Sequence, residues 1–333
     1  MATNKAWTLA AYLSGLPTTD NFRLVEAPAS APADGELLVK NLWLSLDPYM
    51  LGRMTQQKSY AKGVEIGEVM TGETVGEIVE SKHPGFAPGE KVIAQAGWQL
   101  YATLKGEALT KIDPSARFPL SYYLGSLGMP GRTAYFGLHE VGKPKAGETL
   151  VVSAASGAVG SVVGQLGKIA GCRVVGIAGG KPKCDYVTGE LGFDACVDYK
   201  AGNLHRDLVE ACPKGVDIYF DNVGGETLDM MLRQMNVFGR IVICGRISGY
   251  HGSEPYGVKN LGTLIPNRVR MQGILVWDWA DRYAEANKAL AGYLAQSKLK
   301  VRETIVEGIE RAPQGFLDLV NGRNFGKQLV KLA

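Results

Sequence analysis

From about residue 145 onward, short continuous apolar runs alternate with stretches that have the apolar spacing of a helix. Runs with few polar positions are typical of strands in a parallel sheet that is covered on both faces. Six runs are predicted as strands, at residues 149–153, 173–178, 195–199, 218–222, 240–245 and 271–276. A helix ending near Ala170 is predicted after the first of them. This alternation predicts a doubly wound α/β sheet with helices on both faces.

The first third of the chain has a different pattern, in which shorter strands are separated by proline and glycine. The opening residues and residues 36–40, 69–79 and 92–95 are predicted as strands. Closely spaced short strands favour a partly open β-barrel or a sandwich. Residues 301–333 return to short strands with one helix at 312–321, and we expect them to pack on the N-terminal domain.

Composition limits the function classes. At roughly 150 residues per domain, a chain of 333 residues suggests two domains. With 36 basic and 33 acidic residues, the charge is too balanced for an ordinary nucleic-acid-binding protein. No stretch approaches the ~20 apolar residues of a membrane span. The five cysteines are an odd number and lack C-x₂-C spacing, so we expect a reducing, cytoplasmic setting.

A glycine-containing segment between the first predicted strand of the α/β sheet and its helix is the strongest local signal. Gly157 would let the backbone approach a pyrophosphate at the helix N-terminus, and Gly160 would allow the helix to pack closely on the strand. Ala155 stands where the usual fingerprint has its first glycine. The alternative is that these glycines only ease a tight turn.

The end of the second strand of this sheet indicates which dinucleotide would bind. An NAD site places an acid there for the ribose hydroxyl, but Gly179-Gly180-Lys181-Pro182-Lys183 follows the strand and the first carboxylate is Asp185. Two lysines suit a 2′-phosphate, which favours NADP. The alternative is that these lysines are merely solvent-exposed.

Two polar, glycine-rich segments follow the fourth and fifth strands of this sheet, at residues 220–225 and 244–250. Ligands in open α/β sheets lie beyond the carboxyl ends of the strands, so both segments are expected near a nicotinamide. Ordinary glycine-rich loops would give the same pattern.

A catalytic zinc site is not predicted. All cysteines lie at or beyond position 172, and His83 is the histidine of the N-terminal domain, whereas catalytic zinc needs clustered thiolate and imidazole ligands. No G-x-S-x-G elbow supports a serine hydrolase. Without a Lewis acid, hydride transfer to an activated alkene is easier than to a plain ketone, because hydroxyl donors can stabilise the enolate.

Several collinear motifs resemble those of one family. They are Leu46-Asp47-Pro48-Tyr49-Met50, residues 127–138 (LGMPGRTAYFGL), the glycine segment at 150–164, residues 191–194, residues 221–225 and Asn324-Phe325-Gly326-Lys327. Together they resemble zinc-independent medium-chain dehydrogenases/reductases of the prostaglandin reductase (leukotriene hydroxydehydrogenase) group, and curcumin and alkenal reductases are similar. Leu51 departs from the group, since many relatives have arginine there.

The resemblance implies a GroES-like β-barrel domain at 1–120, a Rossmann NADP-binding domain at 121–298 and a C-terminal return at 299–333. It implies NADPH-dependent reduction of the C=C bond of α,β-unsaturated ketones and aldehydes, without a metal. The cofactor-binding residues that it implies are Met129, Pro130, Thr133, Ser156, Gly157, Ala158, Val159, Gly160, Gly180, Lys183, Tyr199, Asn222, Cys244, Gly245, Ile247, Ser248, Tyr250, Ile274, Leu275, Val276 and Asn324.

Tyr250 is the candidate for stabilising the enolate oxygen, and Tyr49 is expected to face the same space. Either tyrosine could instead only line a pocket. Alternatives on the same scaffold are a quinone reductase, an allylic-alcohol dehydrogenase and a non-catalytic NADP(H)-binding sensor. The expected partners are a small enone or enal and, through the apolar edge at 271–276, a second copy of the chain.

Overall fold

The computed structural model describes residues 2–115, 117–249 and 256–333. The chain divides into two compact units. Met1–Gly125 and Glu303–Ala333 form one, which we call the mixed-sheet unit, and Ser126–Arg302 form the other, the parallel-sheet unit. No helix among the described residues is both long enough and apolar enough to cross a membrane.

Strands and helices are numbered here in chain order. The strands are β1 (Thr3–Leu9), β2 (Phe22–Pro28), β3 (Glu36–Ser45), β4 (Thr74–Ser81), β5 (Lys91–Ala94), β6 (Tyr101–Lys105), β7 (Leu109–Lys111), β8 (Thr149–Ser153), β9 (Arg173–Ala178), β10 (Ala195–Asp198), β11 (Val216–Asp221), β12 (Met235–Ile243), β13 (Arg270–Gly273), β14 (Glu303–Glu307) and β15 (Lys327–Lys331). The α-helices are α1 (Met50–Arg53), α2 (Met129–Phe136), α3 (Gly160–Ile169), α4 (Lys181–Gly189), α5 (Leu204–Ala211), α6 (Gly225–Leu232), α7 (Leu264–Asn267), α8 (Tyr283–Ala295) and α9 (Ala312–Val320). A π-helix, Gly137–Gly142, continues α2, and short 3₁₀ turns lie at residues 19–21, 106–108, 120–124, 199–201, 247–249, 261–263, 276–282 and 309–311.

The parallel-sheet unit contains a six-stranded sheet in the order β10-β9-β8-β11-β12-β13. All five strand pairs are parallel, and the order is that of the doubly wound Rossmann fold. Every residue of β8 is buried, because a central parallel strand is covered on both faces. Val151, Tyr219 and Ile241, from neighbouring strands, join one hydrophobic core. The predicted fold class is confirmed, with this sheet as its Rossmann part.

Two predicted strands of this sheet differ most from the structure in their limits. The strand predicted at 240–245 is β12, which begins at Met235. Polar Asn236 and a Phe238 with φ of 63° interrupt its apolar pattern, and the register with β11 shifts nearby. The strand predicted at 271–276 ends at Gly273 and is mostly exposed, because it lies at the sheet edge and, among the described strands, pairs only with β12.

The mixed-sheet unit contains a seven-stranded sheet and a two-stranded sheet. The main sheet has the order β14-β15-β3-β4-β5-β7, and β6 also pairs with β3. All its pairs are antiparallel except β14–β15. The strand predicted at 69–79 is wrong in its limits, since β4 covers Thr74–Ser81. Val69 instead forms an isolated antiparallel β-bridge with Thr8 of β1.

A buried ion pair connects β15 to the segment that follows β3. The Lys327 and Asp47 side chains are 3% and 7% exposed. Lys327 Nζ donates to Asp47 Oδ1 at 2.7 Å and to the Leu46 carbonyl at 2.8 Å. Ser45 Oγ donates to the other carboxylate oxygen of Asp47. The pair therefore fixes the backbone immediately before Tyr49.

We predict that Lys327→Met destabilises the mixed-sheet unit by about 3–5 kcal/mol, because the Asp47 carboxylate loses its buried counter-charge. Faster amide hydrogen exchange in β3 and β15 would measure the loss. Lys331→Met is the matched control, since Lys331 is the exposed last residue of the same strand. Equal exchange in both variants would show that the ion pair contributes no stability.

Candidate functional site

The glycine segment forms the turn between β8 and α3. Ala154 has a φ of 49°, and its carbonyl accepts the Gly157 N–H at 2.9 Å. A Cβ on Gly160 would lie 2.4 Å from the same carbonyl oxygen, so only glycine fits there without a backbone shift. The first turn of α3 therefore begins immediately beyond the carboxyl end of β8, where its N–H groups can face an anion. The predicted residues Ser156, Gly157, Ala158 and Val159 form this turn.

Ala155 replaces the first glycine of the fingerprint without distorting the turn. Its N–H donates to the Ile177 carbonyl at 3.0 Å, and its side chain is fully buried. A Cβ on Gly176, in the neighbouring strand, would lie 2.8 Å from the Ala155 Cβ. Gly176 therefore provides the space that the methyl group of Ala155 fills.

The segment after β9 forms a second turn, which leads into α4. Gly180 has a φ of 93°, which favours glycine, and its N–H donates to Asp198 Oδ1 at 2.7 Å. The same oxygen accepts the Lys200 N–H at 2.9 Å. A Cβ on Gly179 would lie 2.8 Å from the Tyr199 ring, so the predicted residue Tyr199 packs on this turn. The Asp198 carboxylate therefore connects this turn, through Gly180, to the segment after β10, through Lys200.

Positive charge collects at the start of α4. Lys181 and Lys183 lie in its first turn, where the helix dipole disfavours cations. Burial of Lys183 and the charge of Lys200 lower the pKa of the Lys183 ammonium. Lys181 is mostly exposed and pairs with Asp185 at 2.7 Å. An anionic ligand beside Lys183 would offset both the unfavourable helix dipole and the repulsion from Lys200. These residues therefore fit a phosphate group such as the 2′-phosphate of NADP.

Asp221, at the end of β11, holds together the loops at the carboxyl edge of the parallel sheet. Its Oδ1 accepts hydrogen bonds from Tyr219 Oη at 2.7 Å and Ser153 Oγ at 3.1 Å. The N–H groups of Val223 and Gly224 donate to the same oxygen, both at 2.9 Å. The other oxygen, Oδ2, is buried without a partner among the described residues. Burial raises the pKa of this carboxyl, although the four donors oppose the shift.

The predicted cofactor residues after β12 are connected to the same edge. The N–H groups of Cys244 and Gly245 donate to the Asp221 carbonyl at 2.8 and 3.1 Å. Ser248 Oγ and its N–H both donate to the Val223 carbonyl, at 2.6 and 3.1 Å. Burial, and secondarily the Asp221 charge, raise the pKa of the Cys244 thiol to about 12. Cys244 is therefore a neutral thiol at physiological pH.

Asn222 is hydrogen-bonded to the end of β8, and Ile247 is hydrogen-bonded to Asn222. The Asn222 amide donates to the Ser153 carbonyl at 2.8 Å, and its N–H donates to Ser153 Oγ at 2.9 Å. The Ile247 N–H donates to the Asn222 carbonyl at 3.4 Å. The end of β8 and the loops after β11 and β12 thus form one hydrogen-bonded network.

The remaining predicted residues of the parallel-sheet unit lie on α2 and after β13. Thr133 Oγ1 donates to the Met129 carbonyl at 2.8 Å, and Pro130, next to Met129, is buried in the same helix. Ile274 N–H donates to the Ile243 carbonyl at 3.1 Å. Leu275 and Val276 then lead out of the sheet, with Leu275 37% and Val276 8% exposed.

In the mixed-sheet unit, Tyr49 directly precedes α1 and is half-buried. Burial, followed by the Asp47 charge, raises the pKa of its hydroxyl far above the usual range. Tyr49 therefore remains protonated and can donate a hydrogen bond. The predicted residue Asn324 donates through Nδ2 to the Gly326 carbonyl at 2.9 Å. Tyr250, the other catalytic candidate, lies outside the described residues.

Sequence reasoning gave no role to several residues that shape these sites. Ser153 ends the buried strand β8, Asp198 ends the mostly half-buried strand β10, and Lys200 follows β10. Asp221 had a place only within a motif, although a carboxylate after the apolar run Ile218-Tyr219-Phe220 is itself a signal of a buried polar network. Within the described residues, no group of three or more His, Cys, Asp or Glu side chains is placed to hold a metal ion.

Two family models match the chain. One, described as the N-terminal domain of oxidoreductase, matches residues 5–112. The other, described as zinc-binding dehydrogenase, matches residues 158–292.

Similar curated proteins extend over nearly the whole chain. The NADPH-dependent curcumin reductase of Escherichia coli (strain K12) is 45% identical over 99% of this chain and 97% of its own. The NADP(+)-dependent 2-alkenal reductase of Nicotiana tabacum is 42% identical, with 99% and 98% covered. Prostaglandin reductase 1 of Bos taurus is 40% identical, with 98% of each chain covered. The crystal structure of CurA from Vibrio vulnificus in complex with NADPH is 45% identical, covers 99% of both chains and has a TM-score of 0.94.

We predict effects of very different size on stability for two substitutions at Asp221. Asp221→Ala leaves four donors without their acceptor and should cost more than about 3 kcal/mol, at 1–3 kcal/mol for each buried unsatisfied group. Asp221→Asn keeps an acceptor oxygen and should be far milder. Urea unfolding measures both.

The pH dependence of the free energy of unfolding tests the raised pKa of the Asp221 carboxyl. Its pKa is raised in the folded state from 3.8, so its stabilising contribution is complete below the unfolded pKa and is lost as pH rises through the folded pKa. Asp221→Asn removes that loss, so its stability relative to the wild type should increase with pH across this window. A constant difference would contradict the raised pKa.

Proposed function

Because this chain belongs to the medium-chain dehydrogenase/reductase family, in the group of curcumin, alkenal and prostaglandin reductases, we propose that it reduces the C=C bond of α,β-unsaturated ketones and aldehydes with NADPH. The observation that carries the proposal is end-to-end similarity to NADPH-dependent reductases, 45% over 99% of the chain. A protein that only binds dinucleotides would need no such similarity outside its parallel sheet.

The parallel-sheet unit supplies the groups for the cofactor. The N–H groups of the 154–160 turn would face the pyrophosphate, and Lys183 with Lys200 would face the 2′-phosphate. When bound, NADPH supplies a hydride to the substrate. The rigid network around Asp221 would hold the loops that orient the nicotinamide, since a small misplacement of reacting atoms is costly in rate.

Tyrosine hydroxyls would supply the other half of the chemistry. Hydride addition at the β-carbon moves an electron pair onto the carbonyl oxygen and gives an enolate, which hydrogen-bond donors stabilise. We propose Tyr250 as the main donor and Tyr49 as a second, supported by the raised pKa that keeps the Tyr49 hydroxyl protonated. The α-carbon then takes a proton from solvent or from a tyrosine, which completes the saturated product.

We also propose that the protein is a cytoplasmic homodimer. β13 is an edge strand with open backbone groups on one side, and Phe238, Ile265 and Trp277 are 66%, 81% and 55% exposed. Large exposed apolar side chains near an edge strand are suited to pairing with a second copy. A light-scattering mass equal to one chain, 35.7 kDa, would contradict this.

We predict NADPH oxidation with a linear alkenal and an aryl enone, giving saturated carbonyl products by mass spectrometry, with and without a chelator. Tyr250→Phe should lower kcat by about 10²-fold, the cost typical of losing one donor to an oxyanion, and Tyr49→Phe should lower it less. Tyr101→Phe, in β6, is the control. Turnover of a quinone alone would favour a quinone reductase, and NADPH binding without turnover would favour a sensor.

We predict that Lys183→Ala weakens NADPH binding by roughly 10- to 100-fold, because a charged hydrogen bond to phosphate contributes about 1.5–3 kcal/mol. NADH, which lacks the 2′-phosphate, should bind the variant and the wild type equally. Calorimetric titration with both dinucleotides measures the difference. The control is Lys214→Ala. Exposed Lys214 precedes β11 and so lies at the amino ends of the parallel strands, away from the carboxyl ends where Lys183 lies.

A further inference from the structure

Two cysteines lie side by side where α4 packs on β10. Cys184 lies in the first half of α4, and Cys196 is the second residue of β10. Cys196 Sγ donates a hydrogen bond to Cys184 Sγ across 2.9 Å. A disulfide has an S–S distance of about 2.0 Å, so a bond between them requires the sulfur atoms to approach by about 0.9 Å. Both residues are partly exposed, so a small oxidant can reach them.

The other three cysteines have different surroundings. Cys172 is buried, and its Sγ lies 3.5 Å from the Lys145 carbonyl. Cys212 directly follows the last residue of α5 and is buried in the core of the parallel-sheet unit. Cys244 lies beside Asp221, whose charge contributes to the raised pKa of its thiol. These three thiols therefore serve as internal controls for the Cys184–Cys196 pair.

The pair lies directly beside the cations that we assign to the 2′-phosphate. Lys183 directly precedes Cys184 in the first turn of α4. Lys200 lies after Cys196, in the short 3₁₀ turn that follows β10. The hydrogen bond from Gly180 to Asp198, 2.7 Å long, already joins the two elements at this end. A covalent bond between the sulfurs would draw α4 further toward β10.

We propose that Cys184 and Cys196 form a redox-active dithiol that hydroperoxides oxidise to a disulfide, and that this disulfide weakens NADPH binding. The effect on NADPH rests on the proposed function, whereas the disulfide itself does not. Drawing α4 toward β10 brings Lys183 nearer to Lys200, whose charge it already senses. The gap between them that would receive the phosphate then narrows, and the two cations repel more strongly.

The chemistry balances with hydrogen peroxide as the oxidant. The Cys184 sulfur attacks one peroxide oxygen, the O–O bond breaks, and a sulfenic acid and hydroxide form. The Cys196 sulfur then attacks the Cys184 sulfur, the S–O bond breaks, and the disulfide forms. Two protons from the thiols convert the departing oxygens to two waters. A dithiol reductant reverses the bond.

Cys184 is the first sulfur to react in this scheme, because the Cys196 S–H group hydrogen-bonds to it and favours its thiolate. Burial nevertheless raises the pKa of both thiols above the ordinary 9.0. The thiolate is the reactive form, so oxidation should be slow at neutral pH and should accelerate as pH rises. NADPH, by occupying the space between Lys183 and Lys200, should slow it further.

The test uses the full-length protein, reduced and then treated with hydrogen peroxide. Free thiols are alkylated after denaturation, and the peptides are analysed by mass spectrometry. We expect a linked Cys184–Cys196 peptide pair that has lost two hydrogens, while Cys172, Cys212 and Cys244 are alkylated. Absence of the link in peroxide-treated wild type would overturn the proposal. Cys184→Ser and Cys196→Ala each remove the link, and either alone suffices if the other does not fold.

Calorimetric titration with NADPH then compares reduced, oxidised and re-reduced protein. We expect at least fivefold weaker binding after oxidation, full recovery with dithiothreitol, and no peroxide effect in Cys184→Ser, which lacks the sulfur that reacts first. Equal affinity in reduced and oxidised wild type would overturn the effect on NADPH. If the reduced protein did not bind NADPH, the proposed function and this effect would both fail, and the mass analysis would still decide the dithiol.

Discussion

One oxygen atom of Asp221 determines how the carboxyl edge of the parallel sheet is built. Four donors converge on it, from Tyr219, Ser153 and the N–H groups of Val223 and Gly224, and the carbonyl of the same residue holds the loop after β12. A buried carboxylate is costly, and the raised pKa reflects that cost. The hydrogen bonds of Asp221 fix the carboxyl ends of β8, β11 and β12 relative to one another. Such preorganisation matters most where a hydride must travel a short, defined distance.

The adenosine side of the proposed cofactor site is organised by the opposite principle. The start of α4 places lysines at the end of the helix dipole that disfavours cations, and although Lys181 pairs with Asp185, Lys183 still experiences repulsion from Lys200. A ligand that carries a phosphate relieves it. Binding energy far from the reacting carbon can then be used to hold the nicotinamide end in place. A rigid centre and a strained periphery are thus complementary parts of one site.

Much of the fold was predictable because its signals are local. The six parallel strands follow from apolar continuity, and the strand–helix turn follows from Gly157 and Gly160. Strand limits failed where tertiary contacts override pattern, as at Phe238, whose positive φ no apolar spacing reveals. The candidate site was predictable where a motif carries it. The carboxylate of Asp221 and the closeness of Cys184 to Cys196 depend on how separate elements pack, which sequence distance does not encode.

The arrangement of the mixed sheet sets an order of events during protein synthesis. β3 pairs with β15 at residues 43–45, yet the ribosome makes β15 only after the entire parallel-sheet unit. The parallel-sheet unit is continuous in the chain, from Ser126 to Arg302. The unit that is translated first therefore finishes folding last. Until then the nascent chain presents an open strand edge and an Asp47 without its counter-charge, the kind of surface that chaperones shield from aggregation.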